Sequence, residues 1–389
     1  MKKKLLAMVL AGSMVVGMTG CGGGSSSETA SKSEASKTEE ASSKPAESSE
    51  AASGASETGE PAASQAEASS AEKAGDGEKF LIGYSYPGSD NEFWGVNTVE
   101  CVNQAAEACG FEVLIDDCNY DQAEQIADVD SMISAGIDAL VLGPQDASVC
   151  AGITASCKSA GIPVVIIDRW PGDDLKVGDD YVCFIGPDDE QAGYDIAMSL
   201  INAGCTKLIG VGGVQGTSVG ENRKVGLDKA LAEHPEVELL QFEYAGDTWD
   251  DGDKAFRNLY QANKDIDGVW CFNDSMALAT VNVLKEENKL DAVKVGGMDL
   301  LSPSLTSMEA KELWFSTGGH YMQAGFAAVV AFDILNGVAY DGPDRIQMSL
   351  YCVDQTSVAD FQKKDTFDWA SSSKALNPEA EYNFTLGAE

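Results

Sequence analysis

Metal or nucleophilic chemistry would have to be assembled here from 2 histidines and 10 cysteines in a chain of 389 residues. Histidine-rich metal sites and Ser-His-Asp catalysis would both pass through His234 or His320. His234 stands next to Pro235 in a surface-loop pattern, so the two do not read as a metal pair. No two cysteines show the C-x-x-C spacing that zinc sites favour. The acidic run Asp247, Asp250, Asp251 and Asp253 invites a calcium reading, yet Trp249 occupies the third ligand position of the loop template. No metal and no cofactor is expected.

The cysteines have a plainer reading. Cys101, Cys150, Cys157, Cys183 and Cys271 lie in apolar stretches, where a thiol behaves as a small hydrophobe. Mostly free, buried thiols are expected, which suits a reducing or anaerobic habitat. The formal net charge is −37, from 26 basic and 63 acidic side chains. Such a polyanion repels phosphate backbones, so a nucleic-acid role is excluded. With 44% hydrophobic residues the chain can fill sizeable cores, and its length suits two or three domains.

Short β-rich runs recur at 80–84, 112–115, 139–142, 164–167, 181–185, 208–211, 237–242, 268–271, 293–296, 313–316 and 346–353. Helical-period segments lie between most of them, at 94–109, 121–135, 147–160, 188–203 and 221–233. Gly110, Gly136, Gly161 and Gly204 stand where helix C-caps are expected. Alternating strands and helices predict an α/β fold with doubly wound parallel sheets. About 310 residues are too many for one such sheet, which predicts two lobes. A (β/α)₈ barrel is the competing topology.

The N-terminus reads differently. Lys2, Lys3 and Lys4 precede an apolar run over 5–16, which ends at Gly17-Met18-Thr19-Gly20-Cys21. The run is too short for a mature membrane span. It resembles a bacterial lipoprotein signal over 1–20, with Cys21 as the lipidated residue. Residues 22–79 contain no Val, Ile, Leu, Met or aromatic residue and cannot offset their ordering entropy. A disordered tether over 21–79 is expected, with an r.m.s. reach of roughly 40 Å.

Several strings in order along the folded part resemble the sugar-binding proteins of bacterial ABC importers. They are Asn91-Glu92-Phe93-Trp94, Asp168-Arg169, Gly216-Thr217-Ser218 before Arg223, Trp249, Asn273-Asp274-Ser275-Met276-Ala277 and Gly297-Met298-Asp299. The family is periplasmic binding protein type I, in its ribose- and galactose/glucose-binding branch, and the resemblance spans about 80–353. It implies two lobes joined by a three-segment hinge, with ligand closing the cleft. The N-terminal lobe would be 80–186 plus 320–348, and the C-terminal lobe 187–319 plus 349–389. The tail, with Phe361, Phe367, Trp369 and Phe384, would pack on the second lobe.

Carried over by position, Asn91, Phe93, Trp94, Asp168 and Arg169 would bind ligand from the first lobe. Arg223, Trp249, Asn273 and Asp299 would do so from the second. The family's Asn or Gln near the last crossover is replaced by Thr317-Gly318-Gly319-His320, so a hydroxyl contact is absent there or comes from His320. Two Arg against two Asp form a balanced polar set for vicinal hydroxyls, which suits an uncharged ligand. Phe93, Trp94, Trp170 and Trp249 are candidates to sandwich its apolar faces. An Asp after a strand also caps helices, and Asn273-Asp274 reads as such a cap.

The resemblance implies a monomeric, non-enzymatic receptor that captures a pentose or hexose and delivers it to an ABC importer permease. It would be lipid-anchored to the outer face of the cell membrane, in a Gram-positive setting. A sensory receptor for a sugar-like signal, feeding a membrane kinase, is the alternative. An extracellular glycosidase is a third reading. It would need a carboxylate pair about 5–10 Å apart, for which only Asp168 and Asp299 qualify.

Overall fold

The structure, a computed structural model, describes residues 79–362 and 367–384. The signal segment, Cys21 and the tether up to residue 78 lie outside the described residues.

The first sheet contains β1 (Leu81–Tyr86), β2 (Glu112–Asp117), β3 (Ala139–Leu142), β4 (Val164–Ile167), β5 (Phe184–Pro187) and β11 (Arg345–Met348), in the order β11-β5-β4-β3-β1-β2. The second contains β6 (Lys207–Gly212), β7 (Glu238–Tyr244), β8 (Gly268–Cys271), β9 (Lys294–Asp299), β10 (Phe315–Gly318) and β12 (Tyr351–Asp354), in the order β12-β10-β9-β8-β6-β7. Two open sheets of 6 strands, rather than one closed barrel, decide the topology. All pairings are parallel except that of β12 with β10.

Helices α1 (Val99–Cys109), α2 (Gln122–Ala135), α3 (Ala147–Ala160) and α9 (Gln323–Leu335) belong to the first lobe. A π-helical turn, Phe93–Thr98, leads into α1. One face of the first sheet packs on α1 and α9, the other on α2 and α3. The second lobe has α4 (Asp189–Asn202), α5 (Ser218–Glu233), α6 (Trp249–Ala262), α7 (Asp274–Glu286), α8 (Ser302–Glu309) and α10 (Val358–Phe361) around one core. Gly110, Gly136, Gly161 and Gly204 all adopt positive φ at helix ends, as their spacing predicts. The nine cysteines from Cys101 to Cys352 are unpaired, and all but Cys352 are buried. Burial pushes the thiols of Cys101, Cys150, Cys157 and Cys271 up to about 12, so they pack as hydrophobes.

Helices α4 and α5 touch backbone to backbone. A Cβ on Gly193 would lie 1.9 Å from the Arg223 carbonyl oxygen, and one on Gly226 1.9 Å from that of Glu190. Only glycine permits this approach, and it holds Arg223 against Asp189 at the head of α4.

Two expectations need correction. The run 346–353 is two strands in different sheets, because the chain crosses between the lobes at Ser349 and Leu350. The tail divides as well. Val358 joins the second lobe's core, but Trp369, Tyr382 and Phe384 join the first. Phe384 stacks on Phe326 of α9 at 4.0 Å, and Trp369 Nε1 donates to Gln104 of α1 at 3.1 Å. The chain thus connects the lobes a fourth time before Phe367.

Buried Asp333 of α9 fixes this arm. Its carboxylate accepts from Ser373 Oγ (2.5 Å), the amides of Lys374 (2.7 Å) and Ala375 (3.0 Å), and Tyr382 Oη (2.9 Å). Asp333→Asn removes the charge assistance from these bonds and is expected to cost about 1–3 kcal/mol. Denaturant unfolding measures the cost, and faster proteolytic loss of the arm should accompany it. An unchanged midpoint with an intact arm would count against the anchor.

Candidate functional site

The C-terminal ends of the parallel strands converge on a cavity of about 20 Å³ between the lobes, about the room of one water. Asn91, Phe93 and Trp94 reach it from beyond β1, and Asp168 and Arg169 from the end of β4. From the second lobe come Val219 and Arg223 of α5, Asp247 beyond β7, and Phe272 and Asn273 beyond β8. Asp299 ends β9, and His320 lies where the chain leaves β10 for the first lobe. This is the crevice where open α/β sheets hold ligands.

The site is built under strain. Asp168 and Asp299 adopt φ of 67° and 130°, which side-chain-bearing residues avoid. Each is held by its neighbours. Gln323 Nε2 donates to Asp168 Oδ1 at 2.8 Å. A Cβ on Gly318, paired with Asp299 across β9 and β10, would come within 2.5 Å of the Asp299 carbonyl oxygen. Glycine at 318 therefore lets the second crossover pass close to the Asp299 backbone.

Both arginines are deeply buried, and both are paired. Arg223 Nε donates to Asp189 Oδ1 at 2.9 Å, its Nη1 donates to the Phe272 carbonyl at 3.0 Å, and its guanidinium lies 4.3 Å from the Phe272 ring centre. Arg169 Nη2 reaches across the cleft to Asp247 Oδ2 at 3.1 Å, while Nη1 donates to the Gln145 carbonyl at 2.5 Å. Asn91 and Asn273, from opposite lobes, both donate to the Asp247 carbonyl, at 3.2 and 2.7 Å. Asn273 also caps α7 through Oδ1, accepting from Met276 N at 2.9 Å, so one side chain caps the helix and lines the cavity. Trp170 N adds a cross-lobe bond to Ser218 Oγ at 3.1 Å.

Burial, and then the charge of Arg223, depress the His320 pKa well below the ordinary histidine value. The ring is therefore neutral, stacks on Phe93 at 4.6 Å and turns Nε2 to within 3.7 Å of Asp299 Oδ1. Burial raises Asp299 strongly, reinforced by Asp274, and burial raises Asp247 despite Arg169. Asp189 is pushed up to about 7 by burial against the pull of Arg223. Three buried polar atoms here have no partner among the described residues: Arg169 Nε, His320 Nδ1 and Gln323 Oε1. Arg169 and His320 line the cavity, and Gln323 holds Asp168 at its wall. Unpaired buried polar groups are costly, so this wall suits a polar occupant.

Of the ten positions expected from sequence, nine line the cavity and Trp249 does not. It opens α6 with 42% of its surface exposed. The capping box of Thr248 and Asp251 fixes the start of that helix and turns Trp249 outward, while Asp247, two residues earlier, faces in. Trp170 packs instead against Phe184 and Arg345, at 5.2 and 5.1 Å. Val219, Asp247, Phe272 and Gln323 were missed. Gln323 had a signal, being a Gln just past the second crossover, three residues beyond His320. Asp247 was hidden among the acidic neighbours of Trp249.

The periplasmic binding protein domain model matches residues 82–338. The chain is 27% identical over 275 residues to the ribose import binding protein of Bacillus subtilis (strain 168), spanning 68% of this chain and 84% of that one. It is 26% identical over 230 residues to the galactofuranose-binding protein of Escherichia coli (strain K12), spanning 58% and 70%. Among solved structures, an ABC transporter solute-binding protein of Mycobacterium smegmatis with bound glycerol superposes with a TM-score of 0.66 at 26% identity, over 74% of this chain and 99% of that one. Matched by the model over well more than half its length, and folded as two doubly wound parallel-sheet lobes, the chain belongs to the periplasmic binding protein family.

Proposed function

We propose that this chain is an extracytoplasmic receptor that captures a monosaccharide or related polyol between its lobes and delivers it to an ABC importer. The observation that carries this reading is the buried wall of unpartnered polar atoms on Arg169, His320 and Gln323, next to the carboxylates of Asp168 and Asp299. A hydroxyl both donates and accepts, and therefore suits neutral His320, the Gln323 carbonyl oxygen and Arg169 Nε together. Phe93, Trp94 and Phe272 supply apolar surface for C–H faces. The solute-binding relatives, with ribose and galactofuranose in their names and glycerol bound in one structure, support the same ligand class.

Ligand contacts from both lobes would favour the closed arrangement by their differential affinity. Cys21 is the residue to which we assign the lipid, with 22–79 as a tether between membrane and receptor. A single-copy receptor suits this arrangement, and no catalytic step is assigned to the site.

Thermal unfolding and tryptophan fluorescence of the protein against neutral pentoses, hexoses and polyols test the reading. At least one should raise the melting temperature in a saturable way. Silence across the panel would remove the support for a sugar or polyol receptor. Trp249→Ala, outside the cavity, should leave affinity within about threefold, since surface positions away from a site change little. A loss of tenfold or more would return Trp249 to the site.

A further inference from the structure

Consecutive residues of the first lobe, Arg169 and Trp170, each bond directly to the second lobe. Arg169 Nη2 donates to Asp247 Oδ2 at 3.1 Å, and the Trp170 amide donates to Ser218 Oγ at 3.1 Å. Asn91 Nδ2 adds a third bond, to the Asp247 carbonyl at 3.2 Å. Local geometry prepares both sides. In the first lobe, Arg169 N donates to the Ile167 carbonyl at 2.8 Å, closing a three-residue turn about Asp168, whose φ is 67°. The Gln145 carbonyl holds Arg169 Nη1, and Asp173 Oδ1 accepts from Trp170 Nε1 at 3.0 Å. In the second lobe, Asp247 precedes Thr248, the N-cap of α6, and Ser218 follows Thr217, the N-cap of α5. Asn273 Nδ2 braces the Asp247 carbonyl at 2.7 Å. The partners are thus fixed within their own lobes, so little ordering entropy is lost when they meet.

These bonds join protein to protein, and neither Trp170 nor Ser218 lines the cavity. Arg169 and Asp247 are each only 7% exposed, so their bond is charge-assisted and kept from water. We infer that Asp247 and Ser218 form a clasp with Arg169 and Trp170 that sets how long a captured molecule stays between the lobes. This step rests on the receptor reading above. A captured molecule leaves only after the lobes part, and the lobes part only after the clasp breaks. Entry takes place with the lobes apart, before its bonds exist. Asp247 is then a positioning residue, acting through Arg169, and Ser218 acts without touching the captured molecule. The signature of such a clasp is faster release with little change in the rate of capture.

Stopped-flow tryptophan fluorescence on the intact protein tests the clasp, with D-ribose, D-xylose, D-galactose, D-glucose, xylitol, myo-inositol and glycerol as probes. For each probe that binds, Asp247→Ala should raise the dissociation rate about tenfold or more and change the association rate less than about threefold. Asp247→Asn keeps an oxygen for Arg169 but not the charge, and its dissociation rate should fall between the two. Ser218→Ala separates the clasp from direct contact with the probe, because Ser218 lies outside the cavity. It should raise the dissociation rate about threefold or more, the worth of one neutral hydrogen bond, and it carries the test if Asp247→Ala fails to fold. An unchanged dissociation rate in Ser218→Ala overturns the clasp and leaves the receptor reading intact. So does a loss of affinity carried by slower association in either alanine variant. Silence of the unaltered protein toward every probe overturns both.

Discussion

Arg223→Met is expected to destabilise the protein by about 3–5 kcal/mol and to abolish ligand binding, through two separable causes. The stability loss comes from Asp189, which is buried and would be left without the cation now 2.9 Å away. The binding loss comes from the cavity wall, where Arg223 stands over Phe272. Adding Asp189→Leu to Arg223→Met should therefore restore most of the stability, because an apolar pair of similar volume replaces a buried ion pair at little cost. It should not restore binding, which should stay at least tenfold weaker, the usual worth of a hydrogen bond from a charged group. A double variant that recovers affinity would make Arg223 a purely structural residue. Chemical denaturation and calorimetry on the same samples separate the two effects.

The second large effect is on stability as a function of pH. Burial raises the carboxyls of Asp189, Asp247, Asp274 and Asp299, with Asp189 at about 7. Between about pH 4, where such groups titrate in the unfolded chain, and pH 7, the folded protein therefore holds more protons. Stability must fall as pH rises through that window. His320 works the other way, since its depressed value makes the unfolded chain take up the extra proton below about pH 6.5. Four carboxyls outweigh one imidazole, and a formal charge of −37 adds repulsion at higher pH in the same direction. The melting temperature at pH 5.5 should exceed that at pH 8 by several degrees, and Asp299→Asn should reduce the difference. A flat profile, or one rising toward pH 8, would contradict these burial effects.

Much of the site could be read from sequence because strand ends are readable. Each β-rich run ends at a recognisable place, and an open α/β sheet brings those ends together whatever the details of packing. That is why Asn91, Asp168, Asn273 and Asp299 meet in the structure as their positions predict. What was missed depends on rotation by a residue or two. Trp249 and Asp247 share one loop, and only the capping geometry of α6 decides which of them faces the cleft. Gln323 lies on α9, whose 13 residues are otherwise nearly all buried and apolar, so its place three residues past His320 was the one mark of a partner for Asp168. The crossing within 346–353 was hidden because β11 and β12 are separated by only Ser349 and Leu350, with no turn signal between them. The arm from 367 onward carries aromatic residues that fit either lobe, and it is the buried carboxylate of Asp333 that selects the first.

The most direct test of capture between the lobes is small-angle scattering of residues 79–389, with and without a ligand already shown by calorimetry to bind. The expected result is a smaller radius of gyration in the bound state, reversed when ligand is dialysed away. An unchanged scattering profile with saturating ligand would contradict capture by closure and leave a site that binds without moving the lobes.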